Sequence, residues 1–266
     1  MNISITVDVE KDLGSVDSFY GIDEGLPLIL DILDRNNIKA TFFISGEIVK
    51  YLEKNRFIEK IAKAKHEIAS HGYHHWDYRN YTFNEVKYEI SISRDILTNY
   101  SDEEIIGFRA PQFRIGEKII KALKELNFKY DSSVPEPYSF SGASLLRNVK
   151  ISYKEIENFE KNGIKEFQVS SVPLIRFPHG LLWVNLIGFN FYKFLFKKFK
   201  KEDLIIFYLH PFDMVKNKNR LKFPSIIEKS FYNIRSNQAC ETFKKILDLW
   251  KKNNVKIWRI RDYLDS

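Results

Sequence analysis

Four of the chain's six histidines fall within ten residues: His66, His71, His74 and His75. Neutral imidazole is the commonest metal ligand in proteins, so coordination chemistry is expected here first. His71 and His75 are four residues apart. On one helical turn such positions share a face, and both rings could reach one ion. His66-Glu67-Ile68-Ala69-Ser70 reads as a short buried strand. The pair then sits on the loop leaving that strand, the end at which α/β proteins place their sites. The plain alternative is a surface loop that happens to be rich in histidine.

A second group of reactive side chains stands at the ends of apolar runs. Residues 3–9, ISITVDV, form a β-branched strand that stops in acids. Asp8 and Glu10 are two apart, so they share one side of the strand while Val9 turns away. Burying two carboxylates without a partner is costly, and a metal or an acid/base role would supply one. A loop acid and a helix cap are the alternative. Arg109 closes the run IIGFRAP (105–111), Asp131 lies in FKYDSS (128–133), and His210 ends LIIFYLH (204–210).

The elements that must position these groups alternate regularly. Strands are expected at 3–9, 38–44, 66–70, 105–111, 128–133, 166–173, 204–210 and 255–260. Helices are expected at 25–36, 46–54, 57–65, from Thr82 to 99, 116–127, 189–200 and 240–253. Thr82-Phe83-Asn84-Glu85 is a capping box at the start of the fourth. Residues 134–165 read as a loop excursion, 177–185 as irregular, and 212–235 as a basic loop. No compositional break divides the chain, so residues 1–266 are expected to form one α/β domain. Its mainly parallel sheet is barrel-like or open, and a distorted (β/α) barrel of about seven strands is the expectation adopted. In a barrel the strand ends share one rim. Asp8, Glu10, His71, His75, Arg109, Asp131 and His210 would then converge.

The bulk composition narrows the class. The chain has 266 residues, 44% hydrophobic and 29% charged, an ordinary globular balance. Its one cysteine, Cys240, excludes an internal disulfide framework and a cysteine-rich zinc site. The N-terminus MNISITVDVE lacks the features of a signal peptide, and no apolar run is long enough to span a bilayer. A cytoplasmic location is expected on these grounds. The net charge of +7 is spread along the chain, and no nucleic-acid motif is found. The segment FNFYKFLFKKFK carries six aromatics and four lysines. It reads as a barrel helix with a solvated face or as a peripheral membrane contact.

Taken in order, these residues resemble the polysaccharide deacetylases of carbohydrate esterase family 4, the NodB-homology domain. The family's first motif resembles T-F-D-D-G-P; the chain has Thr6-Val7-Asp8-Val9-Glu10. The second resembles H-x-x-x-H after G-H-E-I, matched by His66-Glu67-Ile68-Ala69-Ser70-His71-Gly72-Tyr73-His74-His75. R-x-P is matched by Arg109-Ala110-Pro111, and L-H-P by Leu209-His210-Pro211. Tyr130-Asp131-Ser132-Ser133 resembles the fourth motif, and Ala40-Thr41-Phe42-Phe43 an A-T-F-F strand. The chain departs at Val9, where the family has a metal-binding aspartate. This D-V-E form resembles a branch associated with polysaccharide biosynthesis, and also an imidase/amidase branch.

The resemblance implies metal-dependent N-deacetylation of an amino sugar in a carbohydrate substrate. Glu10, His71 and His75 would hold a divalent ion, expected to be zinc, with Asp12 as the fallback for Glu10. Such an ion lowers the pKa of water to roughly 7 and polarises the acyl oxygen. Asp8 would be the general base, fixed by Arg109. His210 would protonate the leaving amine, oriented by Asp131. Two other readings stand beside this one: hydrolysis of a small cyclic amide or imide, and a non-catalytic carbohydrate-binding module.

Overall fold

The computed structural model describes residues 1–12, 18–136, 153–172, 177–198, 204–216, 221 and 226–266. Among the described residues, eight strands form one parallel sheet. They are β1 (Asn2–Val9), β2 (Thr41–Ile44), β3 (Glu67–Ser70), β4 (Gly107–Phe108), β5 (Tyr130–Asp131), β6 (Lys165–Glu166), β7 (Leu204–Leu209) and β8 (Lys256–Trp258). The order is β6-β5-β4-β3-β2-β1-β7, with β8 pairing to the start of β1. The sheet curls into a distorted half-barrel. Single bridges reach from the β6 side to β7, through Pro135–Val169, Ser171–Pro178 and Gly180–Tyr208.

Along β1, alternation sends apolar side chains to the outer face and small or polar ones to the inner face. Ile3, Ile5, Val7 and Val9 join the large core between the sheet and its surrounding helices. Ser4, Thr6 and Asp8 point the other way, and all are buried. Helix 239–252 shows how the outer layer is held. Its Phe243, Ile246, Leu247 and Trp250 make one apolar stripe, and Trp250 packs edge-on to Phe207 of β7 at 5.1 Å. Each such buried side chain contributes about 1.5–3 kcal/mol.

One end of the barrel is closed. Helix 260–264 inserts Ile260 among Phe43, Ala69, Tyr130, Phe167 and Ile206. Buried Glu67 ties this end together, accepting from Thr41 Oγ1 at 2.7 Å and from the Tyr130 hydroxyl at 2.8 Å. The opposite end, where β1, β3 and β7 terminate, gathers the reactive groups.

Several expected elements are revised. The strands expected at 105–111 and 128–133 shrink to Gly107–Phe108 and Tyr130–Asp131, and in place of 166–173 stand Lys165–Glu166 and single bridges at Val169 and Ser171. Beyond the short strands, Ser132 C=O and Ala110 N–H bond to the side chains of Arg109 and Ser133. The excursion at 134–165 contains helix 153–161, while 137–152 lie outside the described residues. Residues 181–187 and 226–233 are helical rather than irregular, and helix 260–264 was not expected. The first helix starts at Tyr20 and holds Pro27 inside it. Of the aromatic-basic helix, 189–198 are described.

Candidate active site

His71 and His75 lie on the irregular segment after β3, not on a helical turn. Gly72 adopts φ +73°, and the Tyr78 hydroxyl occupies the space a side chain would need. Two bonds tie the segment to its neighbour: Gly46 N–H donates to Gly72 C=O at 2.8 Å, and Glu47 N–H to Tyr73 C=O at 3.0 Å. Glu89, buried on helix 83–98, holds the segment from behind. It accepts from the His74 N–H at 3.0 Å and from the Tyr78 hydroxyl at 3.4 Å. The helix is anchored by the expected Thr82–Glu85 capping box.

This framework turns both imidazoles toward Glu10. His75 Nε2 is 2.5 Å from Glu10 Oε2, and His71 Nε2 is 3.3 Å from the same oxygen. One ligand atom from each of Glu10, His71 and His75 lies within 4.8 Å of the others. The His71 Nδ1–H donates to Arg109 C=O at 2.8 Å, which leaves the Nε2 lone pair facing the cluster. Burial alone would raise the Glu10 carboxyl, but His75, His71 and His210 hold it well below the usual carboxylate range. Burial pulls the His75 imidazole down, and Glu10 more than offsets it. Two imidazole nitrogens and one carboxylate converging at the end of a barrel are a donor set that fits a divalent cation.

Asp8 and Glu10 face this end of the barrel, while Val9 is fully buried in the outer core. Asp12 is held away from the cluster. Its carboxylate accepts from Ser18 Oγ at 2.6 Å and from Gly21 N–H at 2.9 Å, at the start of helix 20–35.

Arg109 is completely buried. Its guanidinium donates to Asp8 Oδ1 at 2.6 Å, Thr6 Oγ1 at 2.9 Å, and the carbonyl and hydroxyl of Ser132, both at 2.8 Å. It also lies 4.1 Å from the Phe43 ring centroid. With Oδ1 tied down, Asp8 Oδ2 is turned toward His210 Nε2, 3.9 Å away. His210 Nε2 is also 3.9 Å from Glu10 Oε1.

The expectation that Asp131 orients His210 is corrected. Asp131 accepts from the Ser133 N–H at 2.9 Å and from its hydroxyl at 2.8 Å. Ser133 Oγ in turn accepts the Ala110 N–H at 2.7 Å, next to Arg109. Asp131 therefore braces the segment that carries Arg109. Burial and the second carboxyl of Glu166 shape its titration. Burial lifts Asp131 to about 6 and, with Asp131 beside it, pushes Glu166 well above the usual range. Glu166 Oε1 accepts from Val134 N–H, while the enclosed Oε2 has no donor. A protonated Glu166 donating to Asp131 satisfies both groups.

The carboxylate that does pair with His210 is Asp213. Its Oδ2 accepts the His210 N–H at 2.8 Å and lies 3.6 Å from ring Nδ1. Burial works against the imidazolium; Asp213, Glu10 and Asp8 prevail and raise His210 to about 9. The local signal was the three-residue spacing in His210-Pro211-Phe212-Asp213. The segment is seated by Gly25, where any side chain would strike the Pro211 carbonyl. Thr6, Ser132, Ser133, Glu89 and Glu166 were likewise not singled out. His66 is structural: it accepts the Ala40 N–H at 3.1 Å and is driven down to about 4 by burial, Lys39 and Arg259.

Residues 3–130 match the family model described as polysaccharide deacetylase. A peptidoglycan-N-acetylmuramic acid deacetylase of Bacillus subtilis is 25% identical over 104 residues, 39% of each chain. A peptidoglycan-N-acetylglucosamine deacetylase of Bacillus cereus is 31% identical over 105 residues, 40% of this chain and 38% of that one. The chain thus spans well under half the length of these relatives. Among solved structures, the Xyl-CE4 domain of a xylanase from the hindgut metagenome of Trinervitermes trinervoides superposes with TM-score 0.57 at 14% identity, covering 99% of this chain and 89% of that one. A CE4 family pseudoenzyme of Bacillus anthracis gives TM-score 0.59 at 15% identity, covering 99% and 65%. At these identities the structures establish a shared fold and no activity. Over residues 3–130 the chain is thus similar to the polysaccharide deacetylase family.

Proposed function

We propose that the chain is a metal-dependent hydrolase that removes the N-acetyl group from an amino sugar of a glycan or its precursor. The observation that carries this reading is the convergence of the Glu10–His71–His75 donor set with Asp8 and His210 at one barrel end. Glu10, His71 and His75 would hold the cation, expected to be zinc. A cation there supplies a lowered pKa for water and polarisation of the acyl oxygen.

The chain's own residues account for the proton movements. Asp8 Oδ2 takes the proton of the attacking water, because Arg109 engages Oδ1 and fixes the carboxylate. His210, kept as an imidazolium by Asp213, gives its proton to the amide nitrogen as the C–N bond breaks. Acetate and a free amine result. The relatives named above act on peptidoglycan amino sugars, which supports a glycan over a small cyclic amide.

The test compares three substrates with the metal-loaded protein: N-acetylated chitooligosaccharides, N-acetylated peptidoglycan fragments and a hydantoin ring. Acetate release from either glycan is expected. Ring opening of hydantoin without acetate release would transfer the site to the imidase reading. Turnover of none would leave a carbohydrate-binding module.

A further inference from the structure

Helix 189–198 carries a feature unrelated to the barrel end. Its sequence, FNFYKFLFKK, contains no acid. It docks through Tyr192, Leu195 and Phe196, a buried stripe at helical spacing. The other side leaves Phe191 44% and Phe194 53% exposed, with the two rings stacked at 6.5 Å and 13°. Lys193, Lys197 and Lys198 are exposed on the same helix, and Lys198 Nζ lies 5.6 Å from the Phe194 ring. Ile234, 38% exposed, adjoins Arg235, which donates to the carbonyls of Asn185 and Leu186 just before this helix. Phe191 and Phe194 are two of the six exposed large hydrophobic side chains among the described residues.

We propose that this face seats on an anionic phospholipid bilayer. Phe191 and Phe194 would enter the boundary between headgroups and acyl chains, with the lysines at the headgroup phosphates. Two features select lipid over a protein partner. The charge on the helix is entirely basic, which complements an anionic leaflet. The exposed apolar area is two stacked rings, too little for the core of a stable protein interface.

The test is sedimentation of the full chain with vesicles of phosphatidylglycerol and phosphatidylcholine, against phosphatidylcholine alone. Binding is expected only with the anionic lipid, and it should weaken as salt is raised. Replacing both rings (Phe191→Ser with Phe194→Ser) should lower partitioning at least about tenfold. Replacing the lysines (Lys193→Gln, Lys197→Gln, Lys198→Gln) should lower it on the order of a hundredfold, at roughly fivefold per charge. All five positions are exposed, so an unchanged melting temperature checks the fold. A control removes equal charge elsewhere, through Lys50→Gln, Lys124→Gln and Lys129→Gln, and should keep binding. Failure of the wild type to bind anionic vesicles overturns the proposal. So does equal loss in the control, which would make the effect one of net charge. A dimer in sedimentation velocity that the double Phe variant dissolves, without vesicle binding, would assign the face to a second copy and also overturn it.

Discussion

Asp213 grips His210 twice with one oxygen, 2.8 Å from its backbone nitrogen and 3.6 Å from ring Nδ1. The arrangement sets both the position and the charge of the imidazole. Asp213→Asn keeps an acceptor for the backbone N–H and removes the negative charge. His210 should then fall from about 9 toward the ordinary histidine value near 6.5. A general acid works only while protonated, so the alkaline limb of the kcat/KM profile should move to lower pH, with turnover reduced about tenfold or more. A pH–rate profile checks this, and an unmoved alkaline limb would remove Asp213 from the account.

How this pairing was missed shows what the sequence can and cannot carry. The long strands β1 and β7 were legible because continuous apolar runs report burial on both faces. So were Asp8, Glu10 and Arg109, because each polar residue interrupts or ends such a run. The resemblance pairs His210 with Asp131, and whether that carboxylate reaches it depends on how the strands curl; Asp131 bonds Ser133 instead. The turn 211–214 after His210 brings the Asp213 carboxylate back to the His210 backbone N–H at 2.8 Å. Helices 153–161 and 226–233 escaped for another reason: their charged or broken patterns resemble solvated loops. His71 and His75 do converge, but through a left-handed Gly72 and the brace from Glu89, which spacing alone does not encode.

Glu10 follows Val9, the position at which the first motif differs from the pattern it resembles. The alternation of β1 buries Val9 in the outer core and leaves Glu10 at the histidines. Glu10→Gln should weaken metal affinity by a factor of ten or more, on the order of what losing a ligand charge costs. Asp12→Asn should leave affinity unchanged, because Ser18 and Gly21 occupy that carboxylate. Val9→Asp should destabilise the fold without restoring metal to the Glu10 variant. Competition with a chromophoric chelator measures all three. A harmless Glu10→Gln with a damaging Asp12→Asn would reverse the ligand assignment.

The Asp131–Glu166 pair makes stability fall with rising pH. Glu166 has a folded pKa well above its unfolded value near 4.5. The folded state therefore holds more protons in the window between those values, and stability decreases as pH climbs through it. The slope is at most about 1.4 kcal/mol per pH unit for one proton. Glu166→Gln preserves a donor toward Asp131 and removes that proton, so its stability should be flatter across the window. Urea unfolding from pH 5 to about 9 would show the wild-type and variant curves diverging on the alkaline side. Parallel curves would mean the pair does not share a proton.

The role proposed for Asp8 is to move a proton at a site built by Glu10, His71 and His75. It is tested most directly by acetate release from an N-acetylated glycan, measured per metal ion bound, for the wild type and Asp8→Asn. The amide can still accept from Arg109, and the three ligands are untouched, so the variant should retain its metal. Its turnover should fall at least about 100-fold, the loss expected on removing a general base. Equal acetate release by the metal-loaded variant and wild type would contradict the assignment of Asp8.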